Sequence, residues 1–375
     1  MISSTLFLYI FIFVFTTLCA KFSQQKTIQG TKFKMNMLIL AFLTHWIFCS
    51  FTKIGVDYER YIYIISNDSL WRFLLGDEIG FNGLSYILFK LTNNADVCIF
   101  IFKAVALLIF YYGFYLLRNH AHLWLCILAV NVHTYFSGFY IIAMQIAVAL
   151  VFLSAVFSII YNSKYIPVLL SIIAATFHIS AILMVACFLF IMVLNYKNKS
   201  IGKPLFFLLG LLLFVVLYQV QSIVSYYLSN YDAFEHYENY GGKRESEGSG
   251  LFNYFLYIFF LVIILPIIKS RLNSHVINSI LVFYGFCFMF AIMGYSLSIS
   301  RLNFYNVVLL DVSFPYLFYQ RETNKLKLNS LLGVKVEKFI LLSYLFFLGF
   351  VSLRQASSPL STSMIYDYIF FNPFQ

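Results

Sequence analysis

Two polar islands within residues 53–96 combine carboxylates with aromatic and basic side chains. The first contains Asp57, Arg60 and Tyr61, and the second contains Glu78 and Phe81. Aromatic faces stack on sugar rings and carboxylates accept hydrogen bonds from hydroxyl groups, so this combination predicts a sugar-recognition surface. The competing interpretation is a solvated loop followed by a helix over residues 79–92, with an acidic residue near the positive end of that helix.

A second polar segment, residues 229–250, is rich in tyrosine. Tyr237 and Tyr240 belong to an aromatic run that continues well past the preceding apolar stretch, and Lys243 and Arg244 follow directly after a Gly-Gly pair. A Gly-Gly pair is typical of a hinge. An aromatic belt at a membrane interface explains the first tyrosines of the run but not the later ones, which we interpret as candidates for sugar stacking.

Two ionisable residues interrupt apolar stretches elsewhere in the chain. His178 lies in the middle of about thirty apolar residues, either at a turn between two short helices or within one long helix. Arg301 lies at the end of another apolar stretch. A histidine at membrane depth is a functional candidate, and a guanidinium can hold phosphate through two hydrogen bonds. The alternatives are a hydrogen-bonded core histidine and an arginine that reaches lipid phosphates.

Three further polar residues, Lys103, Gln145 and Asp311, lie inside predicted spans. Ion-coupled transporters place such groups near the middle of the membrane, so these residues leave a transport function open as an alternative. No pair of Gly- or Pro-broken helices accompanies them.

The elements that must position these residues are predicted to be transmembrane helices. Hydrophobic residues make up 62% of the chain, charged residues 11%, and the mean hydropathy is +0.85. We therefore expect an all-α, polytopic transmembrane helix bundle that forms a single integral membrane domain over residues 1–375. Twelve spans are predicted, at residues 3–20, 35–52, 97–117, 121–137, 139–161, 165–177, 179–195, 205–228, 251–268, 276–297, 302–319 and 338–353.

The charged residues predict an orientation for this bundle. With residues 21–34 in the cytoplasm, sixteen of the 25 lysines and arginines fall in cytoplasmic loops, as the positive-inside rule requires. Twelve of the fifteen carboxylates then fall on the outer side, mostly in the long loops 53–96 and 229–250. The basic residues are scattered between apolar stretches, so the net charge of +10 does not indicate nucleic-acid binding.

Short motifs occur in a fixed order along most of the chain. They are Gly55-x-Asp57-x-x-x-Tyr61, Glu78-x-Gly80-Phe81, a helix carrying Gln145, Phe177-His178-x-Ser180-Ala181, the loop with Tyr237 and Tyr240, and Arg301-x-x-x-Tyr305. In this order they resemble the EpsG/Wzy group of bacterial polysaccharide polymerases. Where that group usually has Arg-Gln, this chain has Met144-Gln145.

The resemblance implies an enzyme that links oligosaccharide repeat units of an O-antigen, capsule or exopolysaccharide. It would act at the outer face of the bacterial cytoplasmic membrane as a glycosyltransferase. Its expected partners are an undecaprenyl-pyrophosphate-linked donor and acceptor, membrane lipid and a chain-length regulator, with no nucleic acid. No nucleotide sugar is used, because the leaving group is the lipid pyrophosphate. No cofactor and no metal are expected.

We predict roles for the motif residues on this basis. The pyrophosphate would be held by Arg301, together with Arg60 or with Lys243 and Arg244. The base for the acceptor hydroxyl would be Glu78, Asp57 or His178. The remaining predicted substrate-binding residues are Tyr61, Phe81, Gln145, Tyr237, Tyr240 and Tyr305.

Other functions compatible with twelve spans are a polysaccharide flippase or other transporter, an O-antigen ligase and a membrane acyltransferase. A flippase predicts charged residues around a midplane cavity and two similar halves. This chain instead keeps most of its charge at one face, and its halves look unlike each other.

Overall fold

The computed structural model of the chain describes residues 4–25, 31–51, 58–67, 78–132, 142–196, 273–293, 297–323, 335–336, 338–343 and 345–346. These residues form eleven α-helices and one short 3-10 helix, with no strand among them. The helices are α1 (Ser4–Ser23), α2 (Thr31–Ser50), α3 (Tyr58–Ser66), α4 (Ile79–Thr92), α5 (Ala95–Leu117), α6 (Leu123–Val130), α7 (Ile142–Ile160), α8 (Ile166–Phe177), the 3-10 helix (Ile179–Ala181), α9 (Ile182–Tyr196), α10 (Ser274–Met293) and α11 (Leu297–Glu322).

Helix α7 forms the centre of the described bundle, and its described side chains are nearly all buried. It packs against α5, α8, α10 and α11. Its sequence is apolar on every side, which is the pattern of a helix surrounded by other helices or by lipid. Its hydroxyl groups are satisfied internally: Ser154 donates to the carbonyl of Leu150, and Ser158 shares a hydrogen bond of 2.8 Å with Ser279 of α10.

Two of the described helices are long and apolar enough to cross a membrane, Lys32–Ser50 and Ala95–Leu117. Five further apolar helices are shorter, including Ile166–Phe177 and Ser274–Cys287. The apolar residues Leu169, Ile172 and Ile173 are exposed along one side of α8, as expected for a helix that faces lipid.

One end of the bundle is formed by the ends of α1, α5 and α11. The Gln24 amide donates to the carbonyl oxygens of Arg118 and Ala121, at 2.6 and 2.8 Å. Glu322 contacts Lys338 and His122, each at 2.8 Å. Since α2 begins and α9 ends on this side, the cationic residues at positions 21, 32, 34, 118, 321 and 338 gather here.

The other end, which we call the site end, is formed by α3, α4, the start of α5 and the α8–α9 turn. Tyr58 of α3 donates to Asp96 at the start of α5, with an oxygen–oxygen distance of 2.6 Å. Lys103 of α5 donates to the carbonyl of Cys49 at the end of α2. Asp96 and Glu78 therefore lie at the site end, opposite the end that holds Glu322 and Lys338.

The helix positions agree with the sequence prediction in most of the described chain, including the helix over residues 79–92. Helix α3, within the predicted outer loop 53–96, was not expected. In the described part of the predicted span 121–137, residues 121–132, the structure has the eight-residue helix Leu123–Val130 followed by a π-helical turn at 131–132. The predicted spans 205–228 and 251–268 lie outside the described residues, so the structure supports a helical bundle without establishing twelve spans.

Candidate functional site

His178 lies at the turn between α8 and α9, where its backbone leaves the helix. Its φ and ψ are −150° and 118°, an extended conformation. Its N–H still donates to the carbonyl of Ala174, and its own carbonyl accepts from Ala181 in the 3-10 helix. The residue is nevertheless only 8% exposed. The structure thus decides between the two interpretations in favour of two helices that meet at a turn, and it also buries the imidazole there.

Glu78 immediately precedes α4 and directs its carboxylate towards His178. It occupies the N-cap position, but its side chain makes no capping hydrogen bond. One carboxylate oxygen lies 3.7 Å from Nε2 of His178. This distance is too long for a direct hydrogen bond. The Glu78 side chain is 27% exposed and that of His178 10%, so solvent reaches the pair from the Glu78 side.

Gly80 allows α4 to lie directly against the end of α8. A Cβ atom added at Gly80 would be 2.5 Å from the hydroxyl of Thr176 and 3.0 Å from its carbonyl carbon and oxygen. Only a residue without a side chain fits such an approach. Because Glu78 is two residues before Gly80 and His178 is two residues after Thr176, this contact sets the separation of the carboxylate and the imidazole.

Ser180 and Tyr305 continue the polar contacts on the other side of the imidazole. The Ser180 hydroxyl lies 2.5 Å from Nδ1 of His178 and donates to the Tyr305 hydroxyl at 3.3 Å. Tyr305 belongs to α11 and is completely buried. The structure thus joins Glu78, His178, Ser180 and Tyr305 into one continuous group, which we call the Glu–His–Ser–Tyr cluster.

Ser180 was not among the residues predicted for the site. The sequence does contain Ser180 within the motif Phe177-His178-x-Ser180-Ala181. A serine two residues from a histidine is common in turns, so the motif alone does not indicate which group the hydroxyl contacts. Its contact with Tyr305, 125 residues later, depends on the packing of α11 against the turn.

The aromatic residues predicted for sugar stacking pack against one another. The ring centroids of Tyr61 and Phe81 are 5.4 Å apart in an edge-to-face arrangement, and Phe81 also contacts Phe102 of α5. Phe81 is only 2% exposed, so the structure gives it a packing role between α3, α4 and α5. Tyr61 is partly exposed, whereas Arg60 is exposed on α3.

Helix α3 is held in place by a buried network beneath these rings. The Lys103 amino group donates to the Cys49 carbonyl at 2.9 Å and lies 5.3 Å from the centre of the Tyr58 ring. Burial raises the pKa of the Tyr58 hydroxyl, and its hydrogen bond to Asp96 raises it further. Lys103 therefore joins α2, α3 and α5, which is a structural use of a residue that the sequence had suggested for transport.

The comparisons with known proteins identify the family. A model of the EpsG family matches residues 35–370. The chain belongs to the EpsG family. No curated protein and no solved structure matches it. The family indicates a polysaccharide polymerase-type membrane protein that handles lipid-linked glycans, and the apolar helices agree with a membrane location.

Two other predicted site residues of this EpsG-family chain lie on helices next to the cluster. Gln145 is buried in the first turn of α7, which packs against the 3-10 helix. Arg301 lies four residues before Tyr305 in α11; the structure describes its backbone but not its side chain. The predicted residues Asp57, Tyr237, Tyr240, Lys243 and Arg244 lie outside the described residues.

Proposed function

We propose that this protein is a polysaccharide polymerase that joins oligosaccharide repeat units carried on undecaprenyl pyrophosphate. The site end of the bundle would face the outside of the bacterial cytoplasmic membrane. Membership of the EpsG family supports the class of function. The observation that carries the proposal is the placement of Glu78 beside His178, at 3.7 Å, in a partly open position at the end of the bundle opposite the cationic residues.

The proposed reaction is a displacement at the anomeric carbon of the donor glycan. A hydroxyl oxygen of the acceptor sugar forms a bond to that carbon, and the bond from the carbon to the pyrophosphate oxygen breaks. The lipid pyrophosphate leaves with the bonding electrons, and the hydroxyl proton passes to a base. Glu78 or His178 is the base in this scheme, because both side chains can accept a proton. They lie 3.7 Å apart, and the Glu78 side chain is partly exposed.

The leaving pyrophosphate needs cations close to the reacting carbon. Arg301 is our candidate for this role. It lies four residues before Tyr305 in α11, so the two backbone positions are about one helical turn apart. Arg60, Lys243 and Arg244 are further candidates from the sequence, and Asp57, Tyr61, Tyr237 and Tyr240 remain candidates for contacts with the sugar.

Complementation of a strain that lacks the gene tests this function. The variants are Glu78→Gln, His178→Gln and Arg301→Ala, with Glu59→Gln as a matched control because Glu59 is exposed on α3. Surface polysaccharide is separated on gels, and the amount of each variant in the membrane is measured with a tag. We expect the three site variants to lose long chains but keep single repeat units, and the control to retain the full ladder.

The same gels distinguish the alternatives. If the protein were a flippase, inactive variants would leave the repeat units on the inner side of the membrane, and no surface glycan would appear. If it were a ligase, inactive variants would lose all attached glycan rather than only the long chains. Full-length ladders in all three site variants, at normal protein levels, would refute the assignment of these residues.

A further inference from the structure

The Ser180 hydroxyl has two polar neighbours but only one hydrogen. It lies 2.5 Å from Nδ1 of His178 and donates to the hydroxyl of Tyr305 at 3.3 Å. A hydroxyl group donates once and can accept twice. Because its hydrogen is directed to Tyr305, Ser180 must accept the hydrogen bond from His178. Nδ1 of His178 therefore carries a proton.

In the neutral state that a base of the proposed reaction requires, this assignment also determines the role of the other ring nitrogen. A neutral imidazole has one N–H, and the nitrogen that does not carry it is an acceptor. With the proton on Nδ1, the acceptor is Nε2, the nitrogen that lies 3.7 Å from the carboxylate oxygen of Glu78. This separation is too wide for a direct hydrogen bond between the two groups.

The geometry points to Ser180 and Tyr305 as positioning residues that set the tautomer of His178, so that Nε2 and the Glu78 carboxylate share the incoming proton of one hydroxyl group. This inference rests on the proposed function for the identity of that hydroxyl, which is the acceptor sugar's. An oxygen about 2.8 Å from each acceptor completes a triangle on the 3.7 Å base. Its proton passes to Nε2 or to Glu78 as the oxygen bonds to the anomeric carbon and the pyrophosphate leaves.

The burial of the cluster explains why a serine and a tyrosine would be used for this purpose. Tyr305 is completely buried in α11, and the His178 side chain is only 10% exposed, so water competes little for these hydrogen bonds. Ser180 and Tyr305 thus orient the imidazole through Nδ1, while Nε2 faces the more exposed Glu78. A histidine in a metal site or a hydrolase is oriented through its second nitrogen by the same principle.

Nitrogen-15 NMR of the full chain in lipid nanodiscs, with labelled histidine, tests the tautomer without any substrate. The chemical shifts of the two ring nitrogens report which one carries the proton, and the signals of His178 are identified by their loss in His178→Gln. Ser180→Ala is compared with Ser158→Ala, which removes the hydrogen bond of a more deeply buried serine, that with Ser279 of α10.

We expect the wild type and Ser158→Ala to carry the proton of His178 on Nδ1. In Ser180→Ala the signals of His178 should move towards the opposite tautomer, while those of the other histidines stay in place. A proton on Nε2 in the wild type, or unchanged His178 signals in Ser180→Ala, would overturn the inference. Unchanged signals of the other histidines also show that the variant is folded.

The complementation assay supplies the functional comparison. Ser180→Ala should reduce long-chain polysaccharide by about tenfold or more, and Ser180→Thr, which keeps the hydroxyl, should restore most of it. If the NMR result holds but none of the cluster variants affects polymer length, the proposed function fails and the tautomer stands. If Glu78→Gln and His178→Gln abolish the ladder but the proton lies on Nε2, the proposed function stands and this inference fails.

Discussion

Gly80→Ala should impair the site without altering any polar residue in it. The added methyl group would lie 2.5 Å from the Thr176 hydroxyl and 3.0 Å from two backbone atoms of Thr176. Rotation of the threonine cannot relieve the backbone contacts, and its hydroxyl already donates to the carbonyl of Ile173. Carbon contacts normally begin near 3.5 Å, so the start of α4 must move away by about 0.5–1 Å.

The effect on the site follows from this displacement. Moving α4 away from α8 widens the 3.7 Å separation of Glu78 and His178 to about 4.2–4.7 Å if the movement follows the line between them. Misplacement of a reacting group by about 1 Å can cost on the order of a hundredfold in rate. We therefore expect a loss of polymer synthesis of about tenfold to a hundredfold.

Stability should change much less than activity. Overpacking costs about 1–3 kcal/mol, and the higher helix propensity of alanine offsets about 1 kcal/mol of this. The matched control is Gly113→Ala, in which the new Cβ would lie 2.5 Å from the ring of Phe152 in the interior of the bundle. This control creates a similar clash between α5 and α7 but leaves the α4–α8 contact intact.

The assay compares polysaccharide ladders and the thermal unfolding of each purified variant. Gly80→Ala should shorten the ladder, whereas Gly113→Ala should retain it at a comparable thermal midpoint. The double variant of Gly80→Ala with Thr176→Ala removes the 2.5 Å contact but not the 3.0 Å backbone contacts, so it should recover only part of the activity. A normal ladder in Gly80→Ala, or equal losses in both glycine variants, would refute the reasoning.

Other predictions concern helix placement and acid stability. Tyr58→Phe removes the hydrogen bond to Asp96 and should cost about 1–3 kcal/mol, measured by thermal unfolding. Asn94→Ala removes the cap that accepts from two backbone N–H groups at the start of α5 and should cost about 0.5–2 kcal/mol in the same assay. Burial raises the pKa of Glu322, but the hydrogen bonds and positive charges of Lys338 and His122 together lower it by more, and the net shift is downward. Its stabilising contribution is therefore complete above the usual glutamate pKa of about 4.3 and is lost as the pH falls through the lower folded value. The thermal midpoints of wild type and Glu322→Gln should differ at pH 7 and converge near pH 3; a constant difference would contradict this.

Composition and local pattern are enough to predict the helical membrane-protein character and the segregation of charge. Apolar length and composition are properties of neighbouring residues, so the positions of α1, α2, α5 and α8 could be predicted from local stretches. The positions of Lys and Arg relative to these stretches also predicted which helix ends lie together. Helix α3 was missed because its nine residues mix charged, tyrosine and isoleucine side chains without a long apolar run.

Which polar residues meet depends on the packing of distant helices. Glu78, His178 and Tyr305 are each separated by at least 100 residues in the chain. Nothing local to His178 selected between a turn and a continuous helix, since no glycine or proline occurs in the turn. The close contact of Gly80 with Thr176 and the direction of the Ser180 hydrogen bond both depend on how α4 and α11 pack against that turn. Such packing depends on side chains from distant segments fitting together, and a pattern read along one segment does not contain that information.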